Sequence, residues 1–261
     1  MTVSLFKVGP GVGDRLRFGP WRGEMLTAYI APTLLDRQPI STEDVSRCLD
    51  AAAAQGYRRA VTAALGERDQ APFLEVGFEV AERLHLLIHP LDRIPEFQPT
   101  VPIRAPRRRD RAAALTVDNA AFDDFWRLDE SGLRDALTAT TAAHFRVARR
   151  AGHRRFRLDR SSATSCDGGA AGVIGYAICG RADGHGYVQR LAVDPACQGA
   201  GIGTSLLLDG LRWLRRWGAH DALVNTQHGN ERSLRLYQRT GFVLQPEGLA
   251  VLHFDRSAGT A

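Results

Sequence analysis

Between Leu191 and Ser205 the chain reads LAVDPACQGAGIGTS. An apolar, strand-like run stops at Val193, Pro195 breaks it, and Gln198, Gly199, Ala200, Gly201, Ile202 and Gly203 lead into a long stretch with helical spacing. Glycines let successive backbone N–H groups approach a ligand without side-chain interference. The first N–H groups of a helix have no partner within it, and the helix dipole adds positive potential there. The segment is therefore suited to an anion such as a pyrophosphate. It equally suits a connection that glycine merely tightens. Either way a strand and a helix must lie side by side, which points to a mixed α/β chain.

Composition adds bounds rather than function. With 261 residues, 44% of them hydrophobic, the chain has material for one large domain or two small ones. No apolar run approaches the roughly 18 residues of a membrane-spanning helix. The start, MTVSLFKVGPGVGD, is broken by glycines and has no apolar signal core, so the expected compartment is the cytoplasm. The net charge of +5 is almost wholly arginine, with Lys7 the only lysine. Arginine suits phosphate or carboxylate partners, but a coding bias toward arginine gives the same count. Cys48, Cys166, Cys179 and Cys197 show no C-x-x-C spacing and the histidines are scattered, so no metal site is expected. In a cytoplasmic chain these cysteines read as free thiols.

Proline and arginine crowd residues 90–111, PLDRIPEFQPTVPIRAPRRRDR. Proline fixes φ and disfavours helix in the residue before it. The expected organisation is an N-terminal domain at 1–92, a linker with a first strand at 93–109, and a C-terminal domain at 110–261. A Ser/Gly-rich loop is expected at 160–170. In the C-terminal part, Asp110 and Ser131 are candidate caps of two helices, the second near 132–140. A strand at 145–149 follows, then strands 172–179 and 187–193 across a GRADGHG hairpin. Leu206, Leu207, Leu211 and Leu214 stripe a helix at 201–217, which Gly218 stops. A strand at 222–226, a helix at 230–239 and strands at 242–244 and 250–254 complete the order.

The N-terminal part reads as a strand at 25–30, a helix capped by Ser41 and running to Gln55, and strands at 59–63 and 84–89. GYRRAVTAALGERDQAPFLEVGFEVAERLHLLIHPLD parallels GAHDALVNTQHGNERSLRLYQRTGFVLQPEGLAVLHFD. Both run strand, polar turn, helix, Gly-Phe, apolar strand and Asp, an internal repeat. The N-terminal copy lacks a glycine loop, having LLDRQPISTED where one would stand.

A Walker loop needs a lysine that is absent here, and a dinucleotide fingerprint needs G-x-G-x-x-G with an acid after the next strand. The spacing here is Q-x-x-G-x-G, and ALVNT ends without an acid. From about Val101 onward the chain instead resembles the GCN5-related N-acetyltransferase (GNAT) superfamily. LAVDPACQGAGIGTSLL resembles its coenzyme A loop, and NERSLRLYQRTGF resembles its N-x-x-(small)-x-x-x-Y-x-x-x-G-F ending. The DNAAF segment and the tandem layout are similar to mycothiol synthase-type double acetyltransferases. The resemblance implies a mixed α/β, α+β-like GNAT acyl-CoA acyltransferase fold with an added N-terminal partial repeat.

It also implies roles. Gln198, Gly199, Ala200, Gly201, Gly203 and Thr204 form the loop that would cradle the pyrophosphate of acetyl-coenzyme A on backbone amides. Leu191 and Val193 lie on the strand that would pair with the pantetheine arm, the Val193 N–H polarising the thioester carbonyl. Asn230 would bond the pantetheine or the loop, and it also reads as a plain helix cap. Tyr237, seven residues on and on the same helix face, is the candidate general acid for the departing thiolate, or else a core tyrosine. No base is assigned: related ribosomal-protein alanine acetyltransferases carry a glutamate on the strand that here reads LVNTQ, with Asn225 and no acid. Gln189 and Tyr187, expected to alternate with Arg190, and Asp123, Asp124, Glu130 and Trp126 are candidates to face the acceptor.

The arginines at 104–111 and 149–157 come without a recognised nucleic-acid motif and read as a solvated basic face rather than a nucleic-acid surface. The expected function is acetyl-CoA-dependent N-acetyl transfer to a primary amine, small molecule or peptide, by direct attack in a ternary complex. No metal, membrane or nucleic-acid partner is expected. A non-catalytic acyl-CoA sensor of the same fold is the alternative.

Overall fold

A computed structural model describes residues 15–22, 24–33, 39–150 and 172–256. The loop expected at 160–170, Cys166, Lys7 and the arginines at 154–157 lie outside them. In chain order the elements are β1 (Leu16–Pro20), β2 (Thr27–Pro32), α1 (Thr42–Ala54), β3 (Arg59–Thr62), β4 (Leu65–Gly66), α2 (Glu67–Glu75), β5 (Glu79–His89) and β6 (Ile103–Arg104). Then come α3 (Asp110–Ala121), α4 (Glu130–Thr138), β7 (Ala142–Arg149), β8 (Val173–Ala182), β9 (His185–Val193) and α5 (Ile202–Arg216). The chain closes with β10 (Asp221–Gln227), α6 (Glu231–Arg239), β11 (Val243–Leu244) and β12 (Leu249–Asp255). The contacts divide these into two compact units, Met1–His89 with Leu223–Ala261, and Pro90–Ala222.

In the first unit the strands run β1-β2-β3-β12-β5-β10. β2 and β3 are parallel, and β12 is antiparallel to both β3 (Phe254↔Ala60) and β5 (Leu249↔Leu84). The end of the chain is thus stitched between two strands from its beginning. Ser41 begins α1 with a capping box: Asp44 N–H donates to Ser41 Oγ at 3.2 Å, and Ser41 N–H to Asp44 Oδ2 at 3.0 Å. Val45, Cys48, Leu49 and Ala52, at helical spacing, bury against Leu16, Phe18, Ile30 and Phe73. The Ser41 hydroxyl's hydrogen bond, opposed by burial and joined by Arg47 and Arg15, brings the Asp44 carboxyl down to about 2.

Two helices of this unit end alike. α2 and α6 each end at a glycine of positive φ, Gly77 (+99°) and Gly241 (+101°), which only glycine adopts without strain. A buried phenylalanine follows each, and its N–H bonds five residues back: Phe78 to Phe73 O at 3.1 Å, Phe242 to Tyr237 O at 3.0 Å. Phe78 packs edge-on to Phe73 at 5.2 Å, and Phe242 edge-on to Tyr237 at 5.5 Å. In this alignment Phe73 occupies the place of Tyr237, and Gly66, the uncapped start of α2, the place of Asn230.

The second unit carries an antiparallel sheet, β9-β8-β7-β6. On one face Ala114 and Val117 of α3 and Leu133 and Ala136 of α4 cover Val147, Tyr176, Ile178 and Ala192. On the other, Ile202 and Leu206 of α5 pack on Ala148, Ile174 and Ala177, with Val101 and Ile103 of the linker and Leu191 and Val193 alongside. α4 starts earlier than Ser131 suggested. Asp129 is its cap, accepting from Gly132 N–H at 2.7 Å, and Ser131 donates its own hydroxyl to that carboxylate. Asp110 is the first residue of α3 rather than its cap. Its carboxylate takes Arg104 and the Arg107 N–H, and the Arg104 bond above all lowers its pKa. Arg104 therefore faces inward onto Asp110. Cys48, Cys179 and Cys197 are buried, and burial pushes the Cys48 and Cys179 thiols up to about 12.

Candidate functional site

The sequence LAVDPACQGAGIGTS folds as the end of β9, a single 3-10 turn at Pro195–Cys197, and the start of α5. Asp194 Oδ1 receives the Ala196 N–H at 2.9 Å and shapes the turn. Gly199 (φ +85°) and Gly201 (φ +75°) are both left-handed, which turns neighbouring N–H groups into one concavity. Gly201 is the N-cap residue of α5, and no side chain caps the helix. The first helical bond runs from the Ser205 N–H to Gly201 O at 2.9 Å. Among the described residues nothing accepts from the N–H groups of Gly199, Ala200, Gly201, Ile202, Gly203 or Thr204. Such donors, at the positive end of a 15-residue helix, form an anion cradle.

The strand leading to the cradle is oriented by two hydrogen bonds. Asp194 N–H donates to Ile174 O on the β8 side at 3.0 Å. Successive N–H groups of a strand alternate in direction, so those of Val193 and Leu191 point away from β8. The Val193 carbonyl lies on the same edge and accepts from Gln198 Nε2 at 3.1 Å. Gln198 thus ties the loop to the strand with its side chain. The linker supports the other flank. A Cβ at Gly201 would stand 3.3 Å from Phe97 Cζ and from Thr100 Cγ2, and Thr100 N–H donates to Ser205 Oγ at 3.4 Å.

Leu191, Val193, Gln198, Gly199, Ala200, Gly201, Gly203 and Thr204 are therefore brought together in the second unit. Asn230 and Tyr237 lie on α6 in the first. Asn230 caps that helix, its Oδ1 accepting from Ser233 N–H at 3.1 Å. Tyr237 is 6% exposed. In the same unit His85 of β5 stacks on His228 at 4.1 Å, a pair that sequence reasoning did not single out because its members are far apart in the chain. Burial, then the charge of His228, moves His85 downward.

Sequence reasoning also missed Asp118. It is fully buried and accepts from Arg190 Nε at 2.7 Å, Arg190 Nη2 at 2.8 Å, the Tyr176 hydroxyl and Leu128 N–H. Arg190 also donates to Trp126 O at 2.6 Å and lies 3.5 Å over the Phe122 ring. Burial opposes the Arg190 charge, but the bonds to Asp118 outweigh it and raise its pKa. The network fastens the segment between α3 and α4 onto β9. On that segment Asp123, Asp124 and Glu130 are exposed, with Asp124 paired to Arg127. Tyr187 is buried, and burial, then Asp183 and Asp221, raises its pKa.

Residues 127–242 match the description "Acetyltransferase (GNAT) family". That segment belongs to the GNAT acetyltransferases. The chain is 31% identical over 184 residues to a mycothiol acetyltransferase of Frankia alni, covering 65% of this chain and 52% of that protein. It is 29% identical over 213 residues to one of Thermomonospora curvata, covering 72% and 66%. The chain therefore spans about half the length of the first relative and about two thirds of the second. Its fold is similar to a solved tandem GNAT protein from the clavulanic acid biosynthesis pathway, with a TM-score of 0.63 at 14% identity over 92% of this chain and 78% of that one. The GNAT fold expected from the sequence is thus the fold observed. Among the described residues no helix is long and apolar enough to cross a membrane, and no cluster of three His, Cys, Asp or Glu could hold a metal.

Proposed function

We propose that this chain is a cytoplasmic acetyl-coenzyme A-dependent N-acetyltransferase acting on a primary amine. The observation that carries the proposal is the uncapped glycine loop: a run of unpartnered N–H groups from Gly199 to Thr204 on a segment belonging to the GNAT family. The residues fit the coenzyme's diphosphate, because backbone donors without side chains in their way are what it requires. Gly199 has nothing within 4 Å of where a Cβ would be. The Val193 N–H, on the edge away from β8, polarises the thioester carbonyl, and Asn230 contributes through its amide nitrogen. Tyr237 gives the departing thiolate its proton, as a neutral phenol can. The amine attacks the thioester directly. The name of the relatives favours a small-molecule acceptor over a protein.

The N-terminal repeat is a non-catalytic copy. It has no glycine loop, Gly66 in place of Asn230 and Phe73 in place of Tyr237, so it lacks both the amide and the hydroxyl that the reaction uses. Titration calorimetry with acetyl-CoA tests the binding half of the reading, and release of free thiol with a panel of amines tests the catalytic half. No heat of binding refutes the proposal. Binding without thiol release assigns the chain instead to acyl-CoA sensing.

A further inference from the structure

β6 covers only the end of β7. The Arg149 N–H donates to Pro102 O at 3.1 Å, and the register goes on through Ile103↔Ala148 and Arg104↔Val147. Carried further, it would set Pro106 opposite Phe145, where proline has no N–H to give. β6 stops at Arg104 instead. Backbone groups alternate in direction along a strand, so those of Ala143 and Phe145 point the same way as those of Arg149, away from β8. Among the described residues nothing bonds to them. The stretch from Ala142 to Phe145 reads AAHF, without the lysine, carboxylate or proline that ordinarily blunts an exposed edge.

The face of this edge under α5 is basic. Asp209, Trp213 and Trp217 recur every four residues and form one stripe of the helix. The stripe lies along β7. His144 Nε2 and Arg146 Nε stand 2.8 and 3.3 Å from Asp209 Oδ2, Trp213 stacks on His144 at 4.8 Å, and Trp217 lies 5.8 Å from Trp213. Asp209 is thus occupied. Trp217 is 56% exposed, and Arg215 and Arg216 beside it are exposed and without an ion pair among the described residues. Arg181 stands opposite Ala142 on β8, two residues from Cys179, which lies against Gly210 of α5. Alternation puts Arg181 on that same face. Its Nε is buried, and among the described residues nothing accepts from it. The opposite face of β7 is apolar, with Phe145 edge-on to Tyr176 at 5.8 Å.

We propose that the open edge of β7 takes an extended acidic segment of another protein as an added strand. The N–H and C=O of Ala143 and of Phe145 supply the ladder bonds. Side chains of the added strand alternate, so its carboxylates fall on the α5 face beside Arg146, Arg181 and Arg216, and its apolar residues fall on the Phe145 face. The arginines decide the occupant. A second copy of this chain, paired antiparallel through the same residues, would set Arg146 of one beside Arg181 of the other, and like charges across an interface repel. The surface lies wholly within residues 90–222 and is independent of the acetyl-transfer reading.

Fluorescence anisotropy on the full chain tests this, with a labelled heptapeptide alternating valine and aspartate and a second alternating valine and lysine. The aspartate peptide should bind, more weakly as salt rises, and the lysine peptide should not. Ala143→Pro removes an outward N–H and blocks close approach, so it should weaken the aspartate peptide about ten-fold or more. That N–H makes no bond within the fold, so the melting temperature should stay within about 4 °C of wild type. Arg216→Glu, at an exposed helix end, leaves the strand untouched and should weaken the peptide about five-fold at low salt. Neither variant should change acetyl-CoA affinity. No binding of the aspartate peptide, equal binding of the lysine peptide, or wild-type affinity in either variant overturns the proposal. So does dimerisation in analytical ultracentrifugation that Ala143→Pro abolishes, because the edge then belongs to a second copy.

Discussion

Asp118 and Arg190 stand 72 residues apart in the chain and hold the segment between α3 and α4 against β9. Their side chains are 0% and 8% exposed, so neither charge has water to fall back on. Asp118→Asn keeps the shape and, through Oδ1, the Leu128 bond, but it puts an N–H donor where Oδ2 accepted from Tyr176 and Arg190 Nε and leaves the Arg190 charge buried without a counter-charge. Breaking one partner of a buried pair costs about 3–5 kcal/mol. Arg190→Met strands the carboxylate in the same way. At roughly 2–4 °C per kcal/mol for a protein of this size, each single variant should melt about 6–20 °C lower. The double variant contains no buried charge at this place and should melt no lower than either single one. The coupling from the double-mutant cycle should be about 3 kcal/mol. Tryptophan fluorescence is a suitable readout, because Trp126, Trp213 and Trp217 lie in the unit that holds the pair and only Trp21 lies in the other. Single variants within 1 kcal/mol of wild type (about 4 °C at most on the scale above), or a double variant equal to the sum of the singles, would refute the reasoning.

Tyr237→Phe should reduce kcat by about a hundred-fold or more, the usual scale for loss of a general acid, and leave acetyl-CoA affinity unchanged. Full turnover in steady-state assays would remove Tyr237 from the reaction. Gly199→Ala and Gly201→Ala both force alanine into a left-handed backbone at about 1–2 kcal/mol. Only Gly201 also meets Phe97 and Thr100, so Gly201→Ala should weaken acetyl-CoA the more in calorimetry, and the reverse order would dissociate the linker from the loop. Asp44, held at about 2 against an ordinary 3.8, stabilises α1 fully above pH 4 and loses that contribution as pH falls through 2. The melting-temperature gap between wild type and Asp44→Asn should therefore close between about pH 4 and 2. A gap independent of pH would contradict the ionic role of this cap.

The features that sequence revealed are those encoded locally. Ser41 and Asp44, the leucine stripe of α5, and the glycines at 199 and 201 state their purpose within a few residues, since caps, helical faces and left-handed turns are short-range. The Gly-Phe echo was legible for the same reason, and it led to the match of Phe73 with Tyr237. β1 was missed, because LRFGP carries a glycine and a proline that argue against a strand. The cap of α4 went to Ser131 because serine and aspartate both qualify, and only geometry shows that Asp129 reaches the Gly132 N–H. Nothing in the sequence could place Asp118 with Arg190, because that depends on how the segment before α4 packs on β9.

The insertion of β12 between β3 and β5 has a consequence for how the protein is made. Residues 90–222 of the second unit are contiguous, so they can fold as they leave the ribosome. The first unit cannot close its sheet until residues 249–255 have been synthesised, about 160 residues after the end of β5. While those intervening residues are made, β3 and β5 wait with open hydrogen-bonding edges, the condition in which chains pair with one another instead. A stop codon shortly before residue 249 would make that waiting state permanent while leaving the glycine loop intact, so such a product should be lost to aggregation before any defect in coenzyme binding could be seen.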